Sequence, residues 1–218
     1  IAYLALGAFP SLKNSKSKLD QIFGELAGEK PKYLIIDLRF NGGGYIETVE
    51  YIANLIAPST LNGKVMYTEQ FNSTLQNGNA TILSHQPYFD EQGKTVNYKG
   101  RIATMADVDY RENNNTYRFE KKGGLENIQD VYFIISAQTA SASELLISCL
   151  KPYFNIKLVG EKTYGKSVGF FGINIDQYTV HLSSFIIKNA LGWSNYFMGM
   201  EPDIPAVGSI NPILGDLE

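Results

Sequence analysis

The stretch VYFIISAQTASASELLISCL (131–150) passes from a strand-like apolar run into a helix-like one, and Ser141 falls where the second begins. A serine so placed stands at the edge of a sheet, and the first amides of the helix point at whatever it attacks. This suits nucleophilic attack on a carbonyl, with the Ala142 amide helping to hold a developing oxyanion. The same residues have a plainer use, because Ser141 and Glu144 match the S-x-x-E capping box, which needs no chemistry. Lys166 follows 25 residues later in GEKTYGK. A lysine can take a serine's proton only if its own pKa falls well below the usual value of about 10.4, and burial does this by disfavouring the ammonium. A solvated loop lysine is the ordinary alternative. Earlier in the chain, NGGG (41–44) follows another apolar run. Its glycines permit positive φ and close backbone approach, so the amides of Gly43 and Gly44 could line an anion or oxyanion site. An ordinary tight turn between strand and helix would use the same residues.

Other chemistries find less support. A Ser-His-Asp triad needs a histidine, and the chain has only two. His85 reads as a surface residue in a polar segment, and His181 as a residue inside a strand. No His/Cys/Asp cluster has metal-ligand spacing, so neither a metal nor another cofactor is expected. Cys149, the single cysteine, lies on an apolar helix face and reads as a core thiol, and no internal disulfide can form. NGGG lacks the G-x-G-x-x-G of a dinucleotide site and the Lys-Ser/Thr of a P-loop. Net charge is -3 with a pI near 5.5, so no basic field would attract nucleic acid. No apolar run approaches the roughly 18 residues of a membrane span.

The elements that would position these residues alternate between strand and helix. IAYLALGAF (1–9) and KYLIIDL (32–38) read as strands buried on both faces, as in a parallel sheet covered on each side. Leu19, Ile22, Phe23 and Leu26 have helical spacing, as do Val49, Ile52, Ala53 and Ile56. KVMYTEQF (64–71) is a further strand. From 72 to 127 the chain turns polar, rich in Asn, Gly and Tyr, and reads as a β-rich insertion without a dense core of its own. Short strands are expected there at ATILSH, IATMAD and TYRFEK. The alternation returns with VYFIIS as a strand, TASASELLISCL (139–150) as a helix and IKLVGEKTYGK (156–166) as strand and loop. INIDQYTVHLSSFIIKNA (173–190) reads as a hairpin, and Pro202 and Pro205 hold MEPDIPAV extended. The class is therefore α/β, in one domain over 1–218 with the insertion inside it. A chain that opens within a strand, at Ile1, looks like a trimmed product.

Taken in order, these segments resemble the C-terminal processing peptidases, also called tail-specific proteases. YLIIDLRFNGGG is similar to that family's I-D-L-R-x-N-x-G-G turn, TASASELL to its nucleophile motif, GEKTYGK to its lysine motif and MEPDIPAV to its closing G-x-x-P-D-x-x-V. The 25-residue separation of Ser141 from Lys166 is also the family's. The resemblance spans most of 1–207 outside the polar segment. It implies a crotonase/Clp-peptidase-like spiral core of strand–strand–helix units. It implies a serine endopeptidase acting on unfolded or C-terminally presented polypeptides, with Ser141 as nucleophile and Lys166 as general base. The Ala142 amide and that of Gly43 or Gly44 would form the oxyanion hole. A periplasmic or cell-envelope location, as for bacterial members, is the corresponding expectation.

The chain departs from the family at several places. Phe170 stands where many members carry a lysine-orienting glutamine, and Pro152 where many carry an aspartate. The turn reads R-F-N-G-G-G rather than R-G-N-x-G-G, and no room for a PDZ domain is expected between Ile1 and the core. Two other readings follow. One is a catalytically impaired relative that binds peptides in the same cleft. The other is an oxyanion-hole enzyme acting on acyl thioesters, which explains NGGG but leaves the Ser–Lys spacing to chance.

Overall fold

In KYLIIDL the burial alternates. Leu34 and Ile36 are fully buried, while Tyr33 is exposed and Ile35 half-buried. The computed structural model describes residues 1–90, 93–207 and 215. Along the chain its strands are β1 (Ala2–Ala5), β2 (Tyr33–Asp37), β3 (Val65–Phe71), β4 (Asn97–Tyr98), β5 (Arg101–Ile102), β6 (Thr116–Arg118), β7 (Asp130–Ile135), β8 (Asn155–Gly160), β9 (Val168–Ile175), β10 (Tyr178–Asn189) and β11 (Ile204–Pro205). The helices are α1 (Leu12–Gly28), α2 (Ile46–Ile56), α3 (Ser73–Gln76) and α4 (Ala142–Leu150). The mixed α/β class expected from the sequence is what forms.

Two compact units emerge. The larger comprises 1–67, 117–167 and 188–218. Its centre is a five-stranded sheet in the order β1-β2-β7-β8-β11, with every pairing parallel. One row of the sheet (Leu34, Ile36, Val131, Phe133, Ile135 and Leu158) is buried, together with Phe23 of α1, Ile52 and Ile56 of α2, and Leu146 and Leu150 of α4. All nine residues of α4 are buried, so it runs through the interior rather than along the surface. The opposite row is more open. Tyr33, Ile35 and Tyr132 line a shallow apolar cavity of about 330 Å³ with Ile1. Coverage of both faces of β2 was expected and is incomplete, because the buried set has the period of two that marks one packed face. The proline-bearing tail joins the sheet as β11, where Asp203 Oδ2 accepts the Leu158 amide at 2.8 Å.

The smaller unit comprises 68–116 and 168–187. It has a core: Phe71, Leu75, Leu83 and Tyr110, packed against Phe171, Ile173 and Phe185. The polar segment supplies Leu75, Leu83 and Tyr110, β3 supplies Phe71, and the β9–β10 hairpin, far away in sequence, supplies the others. Gln86 stitches the two parts, donating to Asn174 O at 2.9 Å and accepting from its amide at 2.8 Å. ATILSH is a 3-10 helix (Thr81–His85) rather than a strand, anchored by Leu83. IATMAD contributes the short β5 and then a 3-10 turn (Met105–Asp107), whereas TYRFEK supplies β6 as expected. β6, β3, β10 and β9, in that order, form a second sheet.

The end of β2 is held by a buried ion pair. Asp37 is fully buried and takes Arg39 Nη2 at 2.8 Å, the Arg39 amide at 3.1 Å and the Tyr3 hydroxyl at 2.8 Å. Burial pushes the Asp37 carboxyl up, but the hydrogen bonds from Arg39 and Tyr3 outweigh it and hold the group below the usual carboxylate range. Tyr3 is pushed up to about 12, by burial first and by Asp37 second. A depressed carboxyl stabilises the fold above its unfolded pKa of about 3.9, and that contribution is lost as pH falls through the folded value. Asp37→Asn, which removes the buried negative charge that Arg39 and Tyr3 surround, is expected to lose about 3 kcal/mol in urea unfolding at pH 7. The gap between parent and variant should close on acidification below pH of about 4; a gap that stays constant would refute the assignment.

Candidate functional site

NGGG and the loop before α4 are knitted together by backbone carbonyls. Thr139 Oγ1 donates to Leu38 O at 2.8 Å, and the Ser136 hydroxyl donates to Arg39 O. Asn41 O accepts the Ala140 amide at 3.2 Å and the Ser143 hydroxyl at 2.8 Å. Asn41 is itself fully buried, with Nδ2 on Leu6 O at 3.0 Å and Oδ1 accepting the Gly43 amide at 2.9 Å. These bonds place Gly43 directly against the start of α4. A Cβ on Gly43, at φ +112°, would lie 3.0 Å from Ser141 Cβ and 3.1 Å from the Ala142 nitrogen. Gly44, at φ +142°, bridges to Phe9, and a Cβ there would fall 2.1 Å from Phe9 O. Only glycine fits either position.

Ser141 caps α4 with φ 57° and ψ -113°. A non-glycine residue there is strained by roughly 1–3 kcal/mol and persists only where its surroundings over-determine it. Nucleophiles carried on a sharp turn from strand to helix show strain of this kind. Ser141 is half-buried, and Ala142, the first residue of the helix, is buried.

The residue that gathers the site is Glu144, fully buried in the first turn of α4. Its Oε2 accepts the Ser141 amide at 2.9 Å and the Lys166 amide at 2.8 Å. Its Oε1 accepts the Gly165 amide at 2.7 Å and the Thr163 hydroxyl at 2.6 Å. One carboxylate oxygen thus bonds the backbones of both candidate residues, and their amide nitrogens lie within about 6 Å of each other. The capping box expected from the sequence is present, yet the same carboxylate also carries the lysine loop. The loop has two further ties. The Tyr164 amide donates to Thr139 O at 3.0 Å, and Thr163 meets Met200 twice, its amide donating to Met200 O and its hydroxyl accepting from the Met200 amide. Gly165 packs against Gly199, and a Cβ on Gly165 would fall 2.4 Å from the Gly199 nitrogen.

The remaining candidates are spread elsewhere. Phe170 lies on β9, 47% exposed, and meets His181 of β10 edge to face at 5.5 Å. His85 is exposed, as expected of a surface residue, and His181 lies in a strand. Cys149 is fully buried, and burial pushes its thiol well up, consistent with a core role. Pro152 sits half-buried in the turn after α4. Among the described residues, no group of three or more His, Cys, Asp or Glu is arranged to hold a metal ion. Among the same residues, no helix is long and apolar enough to cross a membrane. Sequence reasoning missed the wider roles of Glu144, Thr163 and Asn41. The S-x-x-E pattern marked Glu144, but nothing local in it signals that three of its four donors come from outside its own turn or beyond the cap.

Residues 1–206 match the model of peptidase family S41. Several solved structures share the fold. A putative S41 protease from Bacteroides fragilis matches with a TM-score of 0.61 at 19% identity, over 88% of this chain and 42% of that one. The photosystem II D1 C-terminal processing protease matches at 0.61 and 20% identity, over 94% of this chain and 42% of that one. Mature CPAF, in complex with lactacystin, matches at 0.60 and 13% identity, over 93% and 46%. The chain therefore spans less than half the length of each of these three proteins. No match was found among curated protein sequences.

Glu144→Gln replaces one acceptor oxygen with a donor among four donors. It is expected to destabilise the protein by about 1–3 kcal/mol. Amide exchange at Ser141, Gly165 and Lys166 should speed up together. Faster exchange at only one of the three would show that the carboxylate does not couple them.

Proposed function

Since the chain belongs to peptidase family S41, we propose that it is a serine endopeptidase in which Ser141 is the nucleophile and Lys166 the general base. The observation that carries the reading is the shared carboxylate: Glu144 Oε2 bonds the amides of both residues, and Ser141 is held strained at the N-terminus of α4. Lys166 Nζ takes the Ser141 hydroxyl proton as Oγ attacks the scissile carbonyl, then returns it to the leaving amine. Water hydrolyses the acyl-enzyme by the same base in reverse order. The oxyanion is held by the Ala142 amide and that of Gly43 or Gly44. Gly43 N–H already donates to Asn41, which favours Gly44 as the second donor. The reading extends to the architecture, a crotonase/Clp-peptidase-like spiral of strand–strand–helix units in a single domain that carries 72–127 as an insertion.

The substrate class is unfolded or C-terminally presented polypeptide. Its support is the family together with the neighbour named for C-terminal processing. The location we assign is the bacterial periplasm or cell envelope. A second reading, a peptide-binding relative of impaired activity, draws on Phe170 at the position of the orienting glutamine.

Labelled casein separates the two. On the first reading, Ser141→Ala and Lys166→Ala each lower turnover by at least about 10³-fold, as loss of a nucleophile or base does. Lys166→Arg does not restore it, because guanidinium does not give up its proton. Activity that survives Ser141→Ala contradicts the first reading. Peptide binding without turnover in the parent chain supports the second.

A further inference from the structure

The Thr163 side chain joins Glu144 to the segment Tyr196–Met200. Its hydroxyl has both roles assigned by its partners. The Glu144 carboxylate can only accept and the Met200 amide can only donate, so Oγ1 donates to Glu144 Oε1 at 2.6 Å and accepts from Met200 N at 2.7 Å. A parallel backbone bond, Thr163 N to Met200 O at 3.1 Å, fixes the direction of the pair. Gly199 seals the contact, since a Cβ there would fall 2.1 Å from Thr163 O. Thr163, Glu144 and Met200 are all buried, so water offers none of them a substitute partner.

We infer that Thr163 is a positioning residue. Through its hydroxyl, the Tyr196–Met200 segment sets the geometry in which Glu144 holds the backbones of Ser141 and Lys166. This rests on the Ser–Lys reading for its catalytic consequence, though not for its structural one. Thr163 acts through its bond to Glu144 Oε1. The other oxygen of that rigid, planar carboxylate carries the Ser141 and Lys166 amides. Removing the hydroxyl takes one of the two donors from Glu144 Oε1 and leaves the buried Met200 amide without its acceptor, and the carboxylate turns toward its remaining donors. A displacement of about 1 Å at reacting groups costs on the order of 10²-fold in rate. Tyr196–Met200 also carries the exposed Phe197 and Met198, so this short chain of bonds links a solvent-facing apolar tip to the site.

The test compares Thr163→Val, which keeps the shape and loses the hydroxyl, with Thr163→Ser, which keeps the hydroxyl. Rates on casein peptides are normalised to the fraction of protein that a fluorophosphonate labels. In Thr163→Val, kcat is expected to fall about 10- to 100-fold with KM changed by less than about twofold. Thr163→Ser should remain within about threefold of the parent. A normalised kcat within twofold of the parent in Thr163→Val, or an equal loss in Thr163→Ser, overturns the inference. Should Thr163→Val not fold, Thr163→Cys, with a weaker donor, takes its place and is expected to give an intermediate kcat. Amide chemical shifts are read in the same proteins. Those of Ser141 and Lys166 should move in Thr163→Val and return in Thr163→Ser, whether or not the pair catalyses. Unmoved shifts overturn the positioning role. Moved shifts in a parent protein that cleaves nothing leave that role standing and count against the dyad instead.

Discussion

A buried carboxylate must have its acceptor sites filled, and this constraint organises the site. Desolvating an acidic side chain costs several kcal/mol unless donors replace the lost water. Glu144 meets the requirement with three backbone amides and one hydroxyl, drawn from the start of α4 and from the loop after β8. Because each oxygen takes two donors, the carboxylate can satisfy itself only when those two segments lie side by side. The juxtaposition of Ser141 and Lys166 is thus a consequence of burying one acid at the third position of a helix.

The sheet supplies the platform. Parallel β2 and β7 end at neighbouring points, and each runs into a loop that the other stabilises. Leu38, Arg39 and Asn41 offer carbonyls, while Ser136, Thr139 and Ser143 bring hydroxyls. Glycine is required where these loops touch, because a side chain at 43 would collide with Ser141 and one at 44 with Phe9. The buried Asp37–Arg39 pair fixes where β2 stops and the turn begins. Strain at Ser141 is then sustained by a surround that leaves its backbone little other choice.

Much of this was legible in the sequence for a physical reason: the strands and helices of the larger unit are long enough for their periodicity to identify them. KYLIIDL and VYFIIS became neighbouring strands, and Pro202 and Pro205 marked an extended tail. Short polar segments were harder. ATILSH has one buried apolar anchor, Leu83, and so short a segment cannot distinguish a strand from a 3-10 turn. The core of the smaller unit was hidden because Phe71 and Tyr110 find Phe171 and Phe185 only after the chain has folded. Within the site, the glycines announced close approach without naming what approaches them. Glu144 looked like a helix cap, and it is one. Its bonds to Thr163, Gly165 and Lys166 depend on long-range placement that no local pattern encodes.

The central claim is that Ser141 is a nucleophile activated by Lys166. Mass spectrometry of the intact protein after exposure to a fluorophosphonate, followed by peptide mapping, tests it most directly. The account predicts one adduct, carried by Ser141, that forms at least about 10²-fold more slowly in Lys166→Ala. A protein that takes up no label, carries it on another residue, or labels at an unchanged rate without the lysine would contradict it.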